Sequence, residues 1–322
     1  MGVNSMTINI LEIIFQKISS PSLLLTITAI ITSIILAIIL DGVERKIRAR
    51  IQCRMGPPIL QTLYDLVKLS RKEAIVPHGA SKFFTIAPKI ALIMLIIDFL
   101  YVPYGFKNPL GFYGDIILFI YLLVASTIVL IYGGLSSGNP FSEIGCSREA
   151  SLLMANELAI ALIIATIAFK TGSLSLNAIL ESITLTPSIL LTIIALAIYA
   201  YIESARLPFD IGEAEPEIAT GYLIEYSGPL LSLALCCHIY KRYLLMILLS
   251  IPIYVLTKNI IPVKLNIVVE FSLFMTIVIA LYMLYSVITS ISGRFRVIHA
   301  VNFVRASLLL PIASLILATI GL

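Results

Sequence analysis

Carboxylates gathered in one short segment are the residues of this sequence best suited to chemistry. The segment at positions 203–228 reads ESARLPFDIGEAEPEIATGYLIEYSG, and only Arg206 offsets its acids. Apolar residues such as Phe209 and Ile218 lie between the acids, which favours burial over a freely solvated acidic loop. Carboxylates held together in a poorly solvated cavity raise one another's pKa and can exchange protons near neutral pH. The predicted members of this proton-handling cluster are Glu203, Asp210, Glu213, Glu215, Glu217 and Glu225.

A further carboxylate, Glu157, lies inside the apolar run at positions 150–169. An ionised acid at the middle of a membrane costs roughly 2.5–3.5 kcal/mol on insertion scales, so we expect Glu157 to face protein or water. Its candidate partners are Arg148 and Asn156. Asp98 lies in another apolar run and is a weaker candidate, because it could simply reach the membrane interface.

Spacing within the acidic segment predicts that some acids share a face. Asp210, Glu213 and Glu217 are three and four residues apart, so one helical turn would align their side chains. Pro208 and Pro216 limit the length of any such helix.

Membrane helices are the elements that must position these acids. The 322 residues are 59% hydrophobic and 12% charged, with a mean hydropathy of +1.04. An ordinary soluble domain is about one quarter charged. We therefore predict an all-α, polytopic integral membrane protein with about eight transmembrane helices, since a span needs roughly 20 apolar residues. The predicted spans are 22–40, 83–102, 115–135, 150–170, 186–203, 225–257, 267–290 and 304–321.

The sixth span is unusually long. It is either one strongly tilted helix or two helices split near Lys241–Arg242, and the single helix is preferred because it preserves the charge asymmetry of the loops.

Cations are unevenly divided between the two sides of this arrangement. Fourteen lie in or beside the first, third, fifth and seventh loops, and five lie on the opposite side. Because Lys- and Arg-rich loops stay in the cytoplasm, we predict that both termini lie outside a cytoplasmic membrane. Cations follow the first apolar run, which predicts a retained helix and not a cleaved signal peptide. The chain is then one membrane domain, 1–322, with cytoplasmic segments at 41–82 and 204–224.

The first cytoplasmic segment has an ordered pattern of its own. Span one continues through Glu44 and Arg48, one helical turn apart, and the break at Gly56-Pro57-Pro58 precedes an amphipathic helix. One interpretation is an anchor on anionic lipid. The other is a docking surface for a partner, which better explains the succession of helix, break and helix.

The four cysteines form no CxxC pair, and none has a histidine at ligand spacing. This pattern gives no support for an iron–sulfur or zinc site, so no metal or cofactor is expected in this chain.

Three stretches resemble the subunit 1 (H-type) family of respiratory complex I and its relatives, the membrane anchors of energy-converting nickel–iron hydrogenases. They are ERKIRARIQCRMGPP with YDLVKLSRKE, NPFSEIGCSREASLLMANELA, and the acidic segment itself. The stretches occur in the family's order and at its loops. NPFSEIGCSREA, ESAR and EYSG look like the hydrogenase branch, whereas GEAEPEIATGY retains the acidic loop of complex I.

The resemblance implies a non-catalytic subunit beneath a peripheral redox arm. Its partners would be hydrogenase-like large and small subunits, an iron–sulfur subunit and antiporter-like membrane subunits, with nickel–iron and iron–sulfur centres in those partners. Glu157 and the six acids of the segment match the family's proton path. The residues implied to face or support the arm are Glu44, Arg45, Arg48, Arg50, Arg54, Asp65, Lys68, Lys72, Arg148 and Arg206.

The mixture of motifs looks like an archaeal membrane-bound hydrogenase or the related sulfur-reducing complex, and it implies ferredoxin as electron donor. Protons, polysulfide, quinone and methanophenazine remain open as terminal acceptors, and H⁺ and Na⁺ as exported ions. Two alternatives of other classes are a free-standing ion transporter and a passive membrane anchor for soluble enzymes.

Overall fold

The structure is a computed structural model that describes residues 22–102, 112–260 and 266–321. Lys17, Lys107 and Lys264, three of the cations expected on the outer side, lie outside these ranges. The described part contains twelve α-helices and no strand. They are α1 (Ser22–Ile51), α2 (Gln61–Ser70), α3 (Lys82–Phe99), α4 (Asp115–Leu135), α5 (Pro140–Thr171), α6 (Leu176–Ser182), α7 (Pro187–Glu203), α8 (Glu215–Ile218), α9 (Gly228–Ile260), α10 (Ile267–Ile291), α11 (Val297–Ser307) and α12 (Leu309–Ile320), with a 3-10 turn at Gly221–Leu223.

Five helical stretches of the described residues are long and apolar enough to cross a membrane. They are Asp115–Leu135, Pro140–Thr171, Gly228–Asn259, Val268–Ile291 and Val297–Ile320. Helices α1, α3 and α7 coincide with the remaining predicted spans. The predicted class, an all-helical multi-pass membrane protein, is confirmed, whereas the count of eight spans and the orientation of the termini stay predictions.

The chain divides into two compact units, residues 1–36 and 37–322. The smaller unit contains, among the described residues, only the first half of α1. All further structure described below belongs to the larger unit.

Helix α9 forms the centre of the larger unit. It packs against α2, α3, α7 and α10. In its most apolar stretch 83% of the residues are buried, compared with 28% in the corresponding stretch of α10. The helix is continuous, so the alternative of two helices split near Lys241–Arg242 is wrong. The two cations do not break the helix because both have partners in the core, Glu203 and Asp41.

Helix α5 begins at Pro140, ten residues before the predicted start of the fourth span. Asn139 caps it by accepting a hydrogen bond from the Phe141 amide at 2.9 Å, and proline suits the first helical position. The early start places Arg148 and Glu149 inside the helix.

The acidic segment is mostly irregular, so the predicted alignment of Asp210, Glu213 and Glu217 on one helical face is wrong. The only α-helix that the structure describes between α7 and α9 is the four-residue α8, followed by Ala219 and Thr220 with φ of 48° and 75°. Asp210 and Glu213 precede α8, and each bonds a different element of the protein.

Candidate functional site

A buried ion pair lies where α4, α5, α7 and α9 meet. Lys241 Nζ of α9 is 2.6 Å from Glu203 Oε1 at the end of α7, and it also donates to Thr127 Oγ1 of α4 at 2.5 Å. Asn156 of α5 donates to Glu203 Oε2 at 2.7 Å. The side chains of Lys241 and Glu203 are 9% and 4% exposed. A charge pair survives such burial only when its remaining hydrogen-bonding atoms find partners, as they do here.

Two more acids of α5 lie beside this ion pair. Glu149 is buried and within electrostatic range of Lys241 and Glu203. Glu157 is half-buried, and its Oε1 has no hydrogen-bond partner among the described residues. A partly buried carboxylate that lacks a hydrogen-bond donor and lies near a second carboxylate, Glu203, is suited to holding a proton.

The partners predicted for Glu157 are wrong. Arg148 pairs with Glu217 at 2.6 Å, and Asn156 donates to Glu203. At about 100° per residue, the nine residues from Arg148 to Glu157 place the two side chains on opposite faces of α5.

A hydrogen-bonded cluster joins the acidic segment to α9. Tyr222 OH donates to Glu213 Oε1 at 2.9 Å and lies 3.1 Å from His238 Nε2. His238 Nε2 is 3.4 Å from Glu213 Oε1. Burial, followed by the Glu213 carboxylate, raises the pKa of Tyr222 well above its ordinary value, so the phenol stays neutral and can donate. We call these three residues the Glu213 cluster.

The Glu213 cluster adjoins Glu149 through the backbone of Gly212. A methyl group on Gly212 would come within 2.6 Å of Glu149 Oε2, so the carboxylate packs directly against the chain that leads into Glu213. The Glu213 cluster and the Lys241–Glu203 pair are thereby neighbours of the same buried acid.

The remaining acids of the segment bond to residues outside the buried network or lie at the surface. Asp210 pairs with Arg294 at 2.8 Å, and burial, followed by Glu213, raises the pKa of Asp210. Glu217 is 55% exposed, and Glu225 accepts from Asn139. Glu215 begins α8, and its side chain is outside the described structure. The structure thus brings Glu157, Glu203 and Glu213 into or beside the buried network and leaves Glu217 at the surface.

Glu44 and Arg206 form a second buried pair. Arg206 Nη2 is 2.8 Å from Glu44 Oε2, as an ion pair without hydrogen-bond alignment, and both side chains are at most 2% exposed. The guanidinium also stacks over the Tyr282 ring at 4.4 Å, a cation–π contact, and Arg48 lies 3.3 Å from Glu44. Both residues of the pair are buried, so they would influence a docking surface by holding its segments together.

The exposed members of the predicted docking set surround α2. Arg45 pairs with Asp65 at 2.8 Å, with both side chains about 40% exposed. The same segment, residues 41–82, also exposes large apolar side chains, notably Met55 at 98% and Ile75 at 72%. Cations and large apolar residues exposed together are typical of a contact surface. The other exposed cations of this set are Arg50, Arg54, Lys68 and Lys72.

Sequence reasoning missed Glu149, His238 and Lys241. Glu149 fell just outside the predicted span, although its spacing of seven residues from Asn156 places both on one helical face. His238 and Lys241 are three residues apart in an apolar run, and ionisable residues inside such a run are functional candidates by default.

Replacing Gly221 by alanine is expected to disrupt the Glu213 cluster. Gly221 has φ +58°, and a Cβ there would lie 1.8 Å from the Gly212 carbonyl oxygen, so G221A should lower stability by about 2–3 kcal/mol. G79A is the matched control, because a Cβ added to Gly79 would contact no other atom of the described structure. Thermal unfolding of both purified variants measures the difference. Equal melting temperatures would contradict this account of the close backbone contact.

The fold and the buried charges together define a multi-pass helical membrane protein with an ionisable core. A protein-family model described as NADH dehydrogenase matches residues 24–320. The chain belongs to this family, that of complex I subunit 1 (H-type).

Three curated relatives and one solved structure show the breadth of the family. Hydrogenase-4 component C and formate hydrogenlyase subunit 4 of Escherichia coli (strain K12) are 32% and 33% identical over 60% and 59% of this chain. An NADH-quinone oxidoreductase subunit of Rickettsia typhi (strain ATCC VR-144 / Wilmington) is 32% identical over 59%. These alignments span 63%, 64% and 60% of the relatives' own lengths.

The solved structure is a chain of the membrane-bound sulfane sulfur reductase, described as an archaeal respiratory membrane complex. It superimposes with a TM-score of 0.82 at 25% identity, covering 92% of this chain and 99% of that one. The similarity of fold therefore extends through nearly the whole chain.

Proposed function

We propose that this chain is the non-catalytic membrane subunit of an energy-converting oxidoreductase complex in the cytoplasmic membrane. It docks a peripheral redox arm and couples electron transfer to ion translocation through its buried carboxylates. The observation that carries this proposal is the buried network in which Glu149 adjoins both the Glu213 cluster and the Lys241–Glu203 pair.

The order of these groups suggests a route for protons. Asp210 and Glu213 lie in the acidic segment, outside its helices. The Tyr222 hydroxyl and the His238 ring connect Glu213 to α9. Glu149 of α5 lies against Gly212, the residue before Glu213. The Lys241–Glu203 pair and Glu157 continue the route into the helices. Glu215, Glu217 and Glu225 are proposed as its entrance. A chain of ionisable groups inside a membrane protein is what proton transfer requires.

The surface around α2 is proposed as the docking site for the redox arm. Exposed Arg50, Arg54 and Lys72 would contact an acidic partner, and Arg148 would connect the surface to Glu217. Glu44 and Arg206 hold this region to α10. Movement of the docked arm would then reach the acidic segment through the backbone between Arg206 and Asp210.

The motifs and two of the relatives favour a hydrogenase-type complex. The resemblance of the motifs further implies ferredoxin as electron donor, nickel–iron and iron–sulfur centres in hydrophilic partner subunits, and antiporter-like membrane subunits beside this chain. A sulfane- or polysulfide-reducing complex is the second candidate, favoured by the structural match over 92% of the chain. A quinone-reducing relative is the third, favoured by the similarity to a subunit of NADH-quinone oxidoreductase. The proteins that copurify with this chain distinguish the three.

The variant E213Q tests the proposal. Glutamine keeps the hydrogen bond from Tyr222 but cannot ionise, so ion translocation by the assembled complex should fall more than tenfold. E143Q is the control, because Glu143 is exposed on the first turn of α5. Unchanged ion pumping with unchanged electron transfer in E213Q would refute the route and favour a passive anchor. Ion transport by the chain purified alone would favour a free-standing transporter.

A further inference from the structure

An aromatic cavity of about 340 Å³ lies between α7, α10 and α11. Five of its lining residues are aromatic, namely Tyr201, Phe209, Tyr285, Phe295 and Phe303. Its volume falls in the range of sites that bind small molecules in proteins.

Contacts among the residues that line the cavity hold it open. Phe209 meets Phe295 and Phe303 with ring centroids 5.5 Å apart, and Tyr201 meets Tyr285 at 5.0 Å. The Phe295 amide donates to the Pro208 carbonyl at 3.0 Å, which ties the α10–α11 loop to the acidic segment. Interlocked rings and a backbone hydrogen bond prevent the cavity from collapsing.

The lining offers almost no polar partner to an occupant. Tyr285 OH donates to the Ala197 carbonyl at 2.6 Å, and Tyr201 OH donates to the Leu207 carbonyl, so both phenols are already bonded. A polar metabolite would lose its hydration without compensation, whereas a hydrocarbon chain would not. The occupant that fits this cavity is therefore apolar.

The cavity opens at the outer surface of two helical stretches that could cross a membrane, Val268–Ile291 and Val297–Ile320. Leu284 and Ile288 of α10 are 53% and 40% exposed, and Phe303 is 43% exposed. An exposed arginine, Arg296, follows Phe295 directly, and Arg294 precedes it with its Nε buried and without a hydrogen-bond partner among the described residues. Arg294 is paired with Asp210, so Arg296 is the exposed cation beside the cavity, and it complements a lipid with an anionic headgroup.

We propose that this cavity binds one acyl chain of an anionic membrane phospholipid, whose phosphate lies at Arg296, next to the Arg294–Asp210 pair. The lipid chain packs against Pro208 and Phe209 and so supports the turn that carries Asp210. This site adjoins the proposed ion route at the Arg294–Asp210 pair, but lipid labelling is measured without ion movement, so the two proposals can fail separately.

Photoreactive lipids test the site in the purified complex, reconstituted in bilayers of phosphatidylcholine. Diazirine-labelled phosphatidylglycerol and phosphatidylcholine are compared, and labelling of the cavity residues is normalised to labelling of Ile312, which is exposed on α12. We expect phosphatidylglycerol to label the cavity at least about fivefold more strongly, since each nearby cation contributes about that factor.

Two variants separate the tail from the headgroup. I288W fills the mouth and should reduce cavity labelling by both lipids, whereas I316W should leave it unchanged. R296Q should reduce the preference for phosphatidylglycerol about fivefold while phosphatidylcholine labelling persists. Equal labelling by the two lipids, no effect of I288W, or crosslinking of a polypeptide at this position would each overturn the proposal.

Discussion

Replacing Lys241 by methionine is expected to destabilise the protein by about 3–5 kcal/mol, because Glu203 is left as a buried charge without its cation. Methionine keeps an unbranched apolar side chain close in size to the lysine stem, so the loss reports mainly the missing charge. The double variant K241M/E203Q removes both charges and keeps an amide for Asn156 to bond. Its stability should return to within about 1 kcal/mol of the wild type, since neutral replacement of a buried pair is often tolerated.

The matched control is Lys258, a second lysine of α9. It pairs with Glu270 at 3.0 Å, but its side chain is 45% exposed, so K258M should cost less than about 1 kcal/mol. Unfolding of each variant in mixed micelles provides the free energies. If K241M and K258M were equally mild, the Lys241–Glu203 pair would not have the burial assigned to it.

Replacing Arg206 by methionine is expected to produce the second-largest loss, about 3 kcal/mol, because Glu44 is buried and Arg48 only partly compensates it. The stacking on Tyr282 is lost as well. R206K should recover little, since an ammonium cannot reproduce the planar stacking of a guanidinium. E44Q in the R206M background should recover part of the loss.

Arg50 supplies the control for this pair, because it lies on the same helix as Glu44 but is exposed. R50M should change stability by less than about 0.5 kcal/mol. Melting temperatures of the purified complexes measure all four variants. A melting temperature of R206M equal to that of R50M would show that the buried pair contributes nothing to the fold.

The membrane helices could be predicted from the sequence because each contains a long apolar run. Helix α9 is an instructive case. A run of this length with Lys241 and Arg242 near its middle permits two interpretations, and only the positions of Glu203 and Asp41 show why one helix accommodates both charges.

The site was less accessible to sequence reasoning because its members come from different helices. The acids of positions 203–225 stood out by their density, yet the pairs Lys241–Glu203 and Arg206–Glu44 join residues far apart in the chain. No local spacing indicates which cation meets which acid. Glu149 was missed because the boundary of α5 depends on the cap at Asn139, ten residues earlier.

The measurement that tests the central claim most directly is the number of ions moved per electron in the complex that carries K241M/E203Q. This variant keeps the fold while its two ionisable groups are gone, so we predict that electron transfer continues and ion movement falls to background. The E143Q complex, assayed beside it, should move ions at the wild-type ratio. A wild-type ratio in the K241M/E203Q complex would show that ions are moved without this buried pair.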